Sequence, residues 1–143
     1  MAIRTANARW EGTFSDGTGI MRTGKGGLEA NFSAKSRFEE GEGSNPEELI
    51  GAAHAGCFSM ALAKALGEAG FPPTSVETTA NVHLDRVDGK ATVTRIDLTT
   101  TAVVPNIDEA EFRKHAEATK EGCPISRLLS PGAEITLNAT LAS

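Results

Sequence analysis

The sequence predicts an α+β fold, and three observations predict it. One long apolar helix follows a glycine-punctuated, β-rich stretch. Two β-branched runs then flank Asp88-Gly89, a dipeptide that readily supplies the two positive φ angles of a tight hairpin turn. A second helix and a strand of alternating apolar residues close the order, so strands and helices come in blocks rather than in regular βα alternation.

Each element has its own local reason. Ala8 to Phe38 mixes short apolar patches with turns at Ser15-Asp16-Gly17 and Gly24 to Gly27, which reads as short strands. Asn45 to Gly70 reads as the main helix. Asn45 can cap it, Pro46 suits its first position, and Glu48 stands at capping-box spacing. Gly70 ahead of Phe71-Pro72-Pro73 stops it. Leu49, Ile50, Ala52, Ala53, Cys57, Phe58, Met60, Ala61 and Leu62 cover every face, so the helix is expected to be buried all round. Val76 to Val87 and Ala91 to Val104 are the hairpin strands. Asp108 to Lys120 is a second helix with Asp108 and Glu111 as a capping box. Pro124 to Leu129 reads as a short third helix. Ile135, Leu137, Ala139 and Leu141 alternate along a final half-buried strand.

The bulk properties exclude several classes. The 143 residues carry a net charge of −5 and their Lys and Arg are scattered singly, which argues against nucleic acid as partner. No repeat or linker is visible, so residues 1–143 are read as a single domain. No apolar run of membrane-spanning length is expected, and Met1 to Trp10 lacks the apolar stretch of a secretory signal. The expectation is a cytoplasmic protein without membrane contact. Its two cysteines then face a reducing compartment, where redox or inert thiols are favoured over a standing disulfide.

Cys57 lies inside the apolar helix, where burial raises a thiol pKa and silences it. It needs a cation to act. His54 shares its face one turn earlier, although a core or rim histidine is the plainer reading. Arg37, upstream of the helix in what reads as a polar loop, is a second source, and from spacing alone an ordinary surface arginine. Cys123, after Gly122 and before Pro124, stands at the start of a short helix, whose backbone N–H groups favour a thiolate. The glycine and turn around it predict a mobile thiol; a half-buried loop cysteine is the alternative.

The run Asn45-Pro46-Glu47-Glu48-Leu49-Ile50-Gly51-Ala52-Ala53-His54-Ala55-Gly56-Cys57-Phe58-Ser59-Met60-Ala61-Leu62 closely resembles the first-cysteine helix of the OsmC/Ohr family. Gly122-Cys123-Pro124-Ile125-Ser126 is similar to its second-cysteine segment, and Ser36-Arg37-Phe38-Glu39 resembles the OsmC branch. The resemblance implies an OsmC-like fold, with antiparallel sheets around a central buried helix in an intertwined homodimer. It implies a cysteine peroxidase that reduces organic hydroperoxides, and hydrogen peroxide more weakly, in oxidative or osmotic stress. It assigns Cys57 as the peroxidatic thiol and Cys123 as the resolving thiol, joined as an intramolecular disulfide and restored by a dithiol of lipoyl type. It assigns Arg37 to hold the thiolate and Glu47 to orient that arginine. No cofactor or metal is implied.

Physical chemistry agrees with those roles. The thiolate is the nucleophile, and a guanidinium keeps its charge at any cellular pH while donating in a planar fork. Glu47 and Cys57 are ten residues apart on one helix, roughly 15 Å along its axis at ~1.5 Å per residue. Each site is therefore expected to combine Cys57 of one subunit with Glu47 and Arg37 of the other. Leu49, Ile50, Phe58 and Met60 are the expected walls of an apolar pocket.

Three other readings compete. A metal-binding domain would use His54, Cys57, Cys123, His83 and His115, but no tight cluster is visible. A cysteine hydrolase would pair Cys57 with a histidine base and needs an oxyanion hole that nothing marks. A passive binding or stress protein would carry the thiols as passengers.

Overall fold

The computed structural model describes residues 1–142. The chain divides into two compact units, Met1–Leu49 and Ile50–Ser143.

The first unit is a small antiparallel sheet of β1 (Ala6–Glu11), β2 (Thr18–Thr23) and β3 (Glu29–Phe32), in the order β1-β2-β3. A helix the sequence did not announce follows, α1 (Ala34–Phe38). Ser33 and Ser36 cap it reciprocally, each side chain taking the other's backbone N–H, and the Ser36 hydroxyl also donates to the Ser44 carbonyl. Arg37 thus stands on a braced helical turn, not in a loop. The first turn of α2 (Pro46–Glu68) also belongs to this unit. Asn45 Oδ1 takes the Glu48 N–H at 2.8 Å as expected of a cap. The Glu48 carboxylate, however, accepts from the Asn45 amide and the Ser44 hydroxyl instead of from the cap backbone. β1 is exposed along its whole length.

The second unit holds the core. β4 (Ser75–Val87) and β5 (Lys90–Val103) form the expected hairpin, with Asp88 and Gly89 at φ 51° and 77°. β6 (Glu134–Ala142) pairs with β5 in parallel, so this β4-β5-β6 sheet is mixed and the expectation of antiparallel sheets is corrected. The reason is the connection between them. It holds α3 (Glu109–Gly122) and α4 (Pro124–Leu129), long enough to bring the chain back to the starting end of β5. Phe58, Leu62 and Leu66 of α2 pack with Ile96, Leu98 and Ala102 of β5, Phe112 and Ala116 of α3, and Ala139 of β6.

A helix buried on all faces is also corrected. In the single chain α2 buries Gly51, His54, Phe58, Leu62 and Leu66, mostly at fourfold spacing, and exposes Ala52, Ala53, Gly56 and Met60, the last at 76%. By length and composition α2 could also cross a membrane, with a mean hydropathy of 1.4 over its best window, contrary to the expectation that no such run exists. Alanines supply a good part of that hydropathy, and 28% of the window is buried. At its end Gly70 adopts φ 91° and the Phe71 N–H returns to the Leu66 carbonyl, the glycine stop the sequence called for.

Candidate active site

Two clusters contain the predicted residues. The first is Arg37 with Glu47. Arg37 Nε donates to both Glu47 carboxylate oxygens at 3.1 Å, and Nη2 donates to Oε1 at 2.6 Å. Glu47 is 8% exposed and lies in the first turn of α2, where the helix dipole favours its charge. The fork fixes the guanidinium plane and leaves Nη1 uncommitted among the described residues. The Arg37 Cζ also lies 5.4 Å from the centroid of the Phe38 ring. Beside it is an apolar cavity of about 320 Å³ lined by Trp10, Phe14, Phe32, Ser33, Ala34 and Arg37. These aromatic walls differ from the expected ones. Phe58 is fully buried in the core, and Met60 points to solvent.

The second cluster is Cys57 with Cys123. Both are free thiols. They are neighbours, and each perturbs the ionisation of the other. α2 supplies Cys57, which is partly exposed. The α3–α4 junction supplies Cys123, which is 1% exposed. Cys123 is at once the last cap of α3, its N–H donating to the Thr119 carbonyl, and the first cap of α4. The expected mobile or half-buried loop thiol is thus a buried, doubly anchored one, because two helix ends meet at it.

The local donors treat the sulfurs differently. Burial pushes the Cys57 pKa up, the neighbouring Cys123 adds to that, and the Ile125 N–H opposes it. Burial also pushes at Cys123, but the Ser126 hydroxyl and N–H, the Cys57 thiol and the Ile125 N–H outweigh it, and the net shift is downward. The Ser126 N–H donates to the Cys123 sulfur at 3.3 Å, and Ser126 Oγ is 3.3 Å from it. The groups around Cys57 in its own unit therefore do not activate it; they favour an anion at Cys123. Access divides the roles the other way, since only Cys57 is open to an incoming molecule.

Reading the sequence missed one pair. His54, set aside as a core or rim histidine, is fully buried, and its Nε2 is 2.7 Å from Ser126 Oγ. The only available signals were spacings: His54 one turn before Cys57, and Ser126 one turn after Cys123. Elsewhere, no group of three or more His, Cys, Asp or Glu among the described residues is placed to hold a metal ion. His83 instead pairs with Asp97, and His115 with Glu111.

Comparison with known proteins gives a consistent result. A family model described as OsmC-like protein matches residues 39–138, which takes in Glu47, Cys57 and Cys123 and begins just after Arg37. The chain is 48% identical over 141 residues to Peroxiredoxin OsmC of Escherichia coli (strain K12), covering 98% of this chain and 97% of that one. It is 29% identical over 101 residues to Organic hydroperoxide resistance protein-like 1 of Staphylococcus saprophyticus, covering 70% and 71% of the two chains. In fold it resembles an organic hydroperoxide resistance protein from Elizabethkingia anophelis, with a TM-score of 0.79 at 22% identity over 99% of each chain. The OsmC organic hydroperoxide resistance protein from Legionella pneumophila gives 0.74 at 22% identity over 98% of this chain and 99% of that one. By its matched segment and its near full-length similarity to Peroxiredoxin OsmC, the chain belongs to the OsmC-like family.

Proposed function

We propose that this protein is a thiol peroxidase that reduces organic hydroperoxides, and hydrogen peroxide more weakly, as part of oxidative or osmotic stress defence in the cytoplasm. The whole chain acts as a single domain within an intertwined homodimer. The observation that carries the reading is the pair of free thiols, one open and one buried, set within reach of each other. The Peroxiredoxin OsmC relative supports the same reaction class.

The chemistry runs in three balanced steps. The Cys57 thiolate attacks the peroxide, an S–O bond forms, the O–O bond breaks, and the alkoxide leaves as alcohol after taking a proton. Cys57 is then a sulfenic acid. The Cys123 thiol forms an S–S bond with it, the S–O bond breaks, and the hydroxyl departs as water with the thiol proton. An external dithiol, of lipoyl type, exchanges with the disulfide, is oxidised to its own disulfide and returns both thiols.

Arg37 holds the Cys57 thiolate and polarises the peroxide, and Glu47 holds Arg37. Their forked pair supports this, because it leaves one guanidinium nitrogen free to work. In this reading the pair reaches Cys57 from the second subunit. Two observations support such a dimer: an exposed face of small residues on α2 and a β1 strand exposed throughout. The aromatic cavity beside Arg37 receives the organic tail of the substrate.

The test mixes reduced protein with one equivalent of cumene hydroperoxide, counts free thiols and maps any disulfide. Rapid loss of both thiols into a Cys57–Cys123 bridge is expected. Cys57→Ser should abolish the loss, while Cys123→Ser should stop at a sulfenic acid. Intact thiols in the wild type would overturn the peroxidase reading.

A further inference from the structure

Three buried groups from two distant parts of the chain form a line: His54 on α2, then Ser126 on α4, then Cys123 at the α3–α4 junction. His54 Nε2 is 2.7 Å from Ser126 Oγ, and that oxygen is 3.3 Å from Cys123 Sγ. His54 is 0% exposed, Ser126 1% and Cys123 1%. The other imidazole nitrogen, Nδ1, is buried with no hydrogen-bond partner among the described residues. A buried imidazole that spends one nitrogen on a serine and leaves the other unpaired has given up stability unless that serine contact matters.

The line can be polarised in two ways. In one, the Cys123 S–H donates to Ser126, the Ser126 hydroxyl donates to His54 Nε2, and the proton of the imidazole sits on Nδ1. That strands an N–H donor in a dry site, which is a rare and costly arrangement. In the other, His54 Nε2–H donates to Ser126 Oγ and the Ser126 hydroxyl donates to Cys123 Sγ. Only a bare lone pair is then left at Nδ1. The sulfur receives two donors from one residue, the hydroxyl and the N–H of Ser126, an arrangement that suits an anion. Burial also holds the His54 pKa below its ordinary value, so the imidazole stays neutral and acts as a donor rather than as a charge.

We infer that His54 is a positioning residue for disulfide formation: it fixes the direction of the Ser126 hydroxyl so that the Cys123 sulfur is held as a thiolate ready to attack oxidised Cys57. This rests on the peroxidase reading above and concerns its second step only. His54 and Ser126 are not consumed. Cys123, having already given its proton to solvent, attacks as the thiolate, the S–O bond of the sulfenic acid breaks, and the hydroxyl leaves as water after taking a proton back from solvent.

Three measurements test it. The first is the tautomer of His54 in the reduced wild type by nitrogen-15 NMR. Nε2–H is expected, and Nδ1–H would overturn the inference. The second is the ultraviolet titration of the Cys123 thiolate in a Cys57→Ser background, which removes the neighbouring titratable thiol. Adding Ser126→Ala or His54→Leu should raise its pKa by about one unit, a tenfold loss of thiolate, with His54→Gln restoring part of it through its amide N–H. An unchanged titration in Ser126→Ala, in protein shown to be folded by circular dichroism, would overturn it. The third is stopped-flow with one equivalent of cumene hydroperoxide and dimedone capture. Disulfide formation should slow about tenfold more than peroxide consumption in both variants, with trapped sulfenic acid rising. Equal effects on both phases would overturn it. If instead wild-type protein consumes no peroxide, the peroxidase reading fails and the role in disulfide formation falls with it, whereas the first two measurements still decide whether His54 directs the Ser126 hydroxyl at the Cys123 sulfur.

Discussion

Arg37 and Glu47 are locked as a forked ion pair in which Nε spans both carboxylate oxygens at 3.1 Å and Nη2 meets one of them at 2.6 Å. The carboxylate is buried, and among the described residues its side-chain hydrogen bonds come from this guanidinium. The arginine, more than a third exposed along its side chain, retains a free edge. Arg37→Ala is expected to slow peroxide consumption by roughly 10²–10³-fold, the scale seen when a fixed electrostatic donor is removed. Glu47→Gln should cost less, about tenfold, because the arginine survives but loses its anchor. Single-turnover kinetics with cumene hydroperoxide measures both.

If the pair serves the Cys57 of a second subunit, two inactive variants should rescue each other. Arg37→Ala and Cys57→Ser, co-expressed, give hybrid dimers with one intact site, built from Cys57 and Cys123 of one chain and Arg37 and Glu47 of the other. Peroxidase activity in the mixture far above that of either parent is the expected result. An inactive mixture would place the whole site within one chain.

The ionisation of Cys57 reports on the same arrangement. Burial and the neighbouring Cys123 push its pKa above the ordinary thiol value. A guanidinium at the sulfur favours the anion and works against both. Alkylation rates measured against pH should therefore show wild-type Cys57 reacting at lower pH than Cys57 in Arg37→Ala. If the two profiles coincide, Arg37 does not touch this sulfur.

Asp97 gives a prediction for stability. Its pKa is lowered, first by the hydrogen bond from Thr136, then by His83, with Arg95 adding attraction. A carboxyl whose folded pKa is depressed stabilises the protein above its unfolded pKa, and the contribution is lost as pH falls through the folded value. Melting temperature should drop across the acid range in the wild type. In Asp97→Asn it should start lower near neutrality and fall less steeply.

Gly19 keeps the cavity beside Arg37 in shape. A Cβ there would stand 2.5 Å from Phe32 Cε1 and 2.8 Å from Trp10 Cε3, the two rings whose centroids are 5.4 Å apart. Gly19→Ala must push these rings apart, at a cost of about 1–3 kcal/mol in stability. If the aromatic wall receives the organic tail as proposed, the rate with cumene hydroperoxide should fall more than the rate with hydrogen peroxide.

Much of this architecture was legible from residues whose effects are local. Asn45, Asp108 and Gly70 mark helix ends through their own side chains or backbone, and Asp88-Gly89 marks its turn. α1 was not legible, because its five residues are held by two serines that read equally well as loop. The buried face of α2 was not separable from its exposed face, since alanines and glycines carry no sign of which side meets a neighbour. His54 and Ser126 lie 72 residues apart, and only tertiary packing brings them together. The parallel seat of β6 is likewise a property of the crossover and not of its own alternating pattern.

That crossover also sets an order of events. The β4–β5 hairpin closes through near neighbours, whereas β6 must return across α3 and α4 before it can zip beside β5. Cys123 sits in the middle of that returning segment, so its place next to Cys57 is one of the last things the folding chain completes. Under the peroxidase reading proposed above, a residue 57 oxidised before that docking has no second sulfur beside it, and further oxidant would carry it on to sulfinic acid. On that reading, protection of this sulfur waits for the crossover to close.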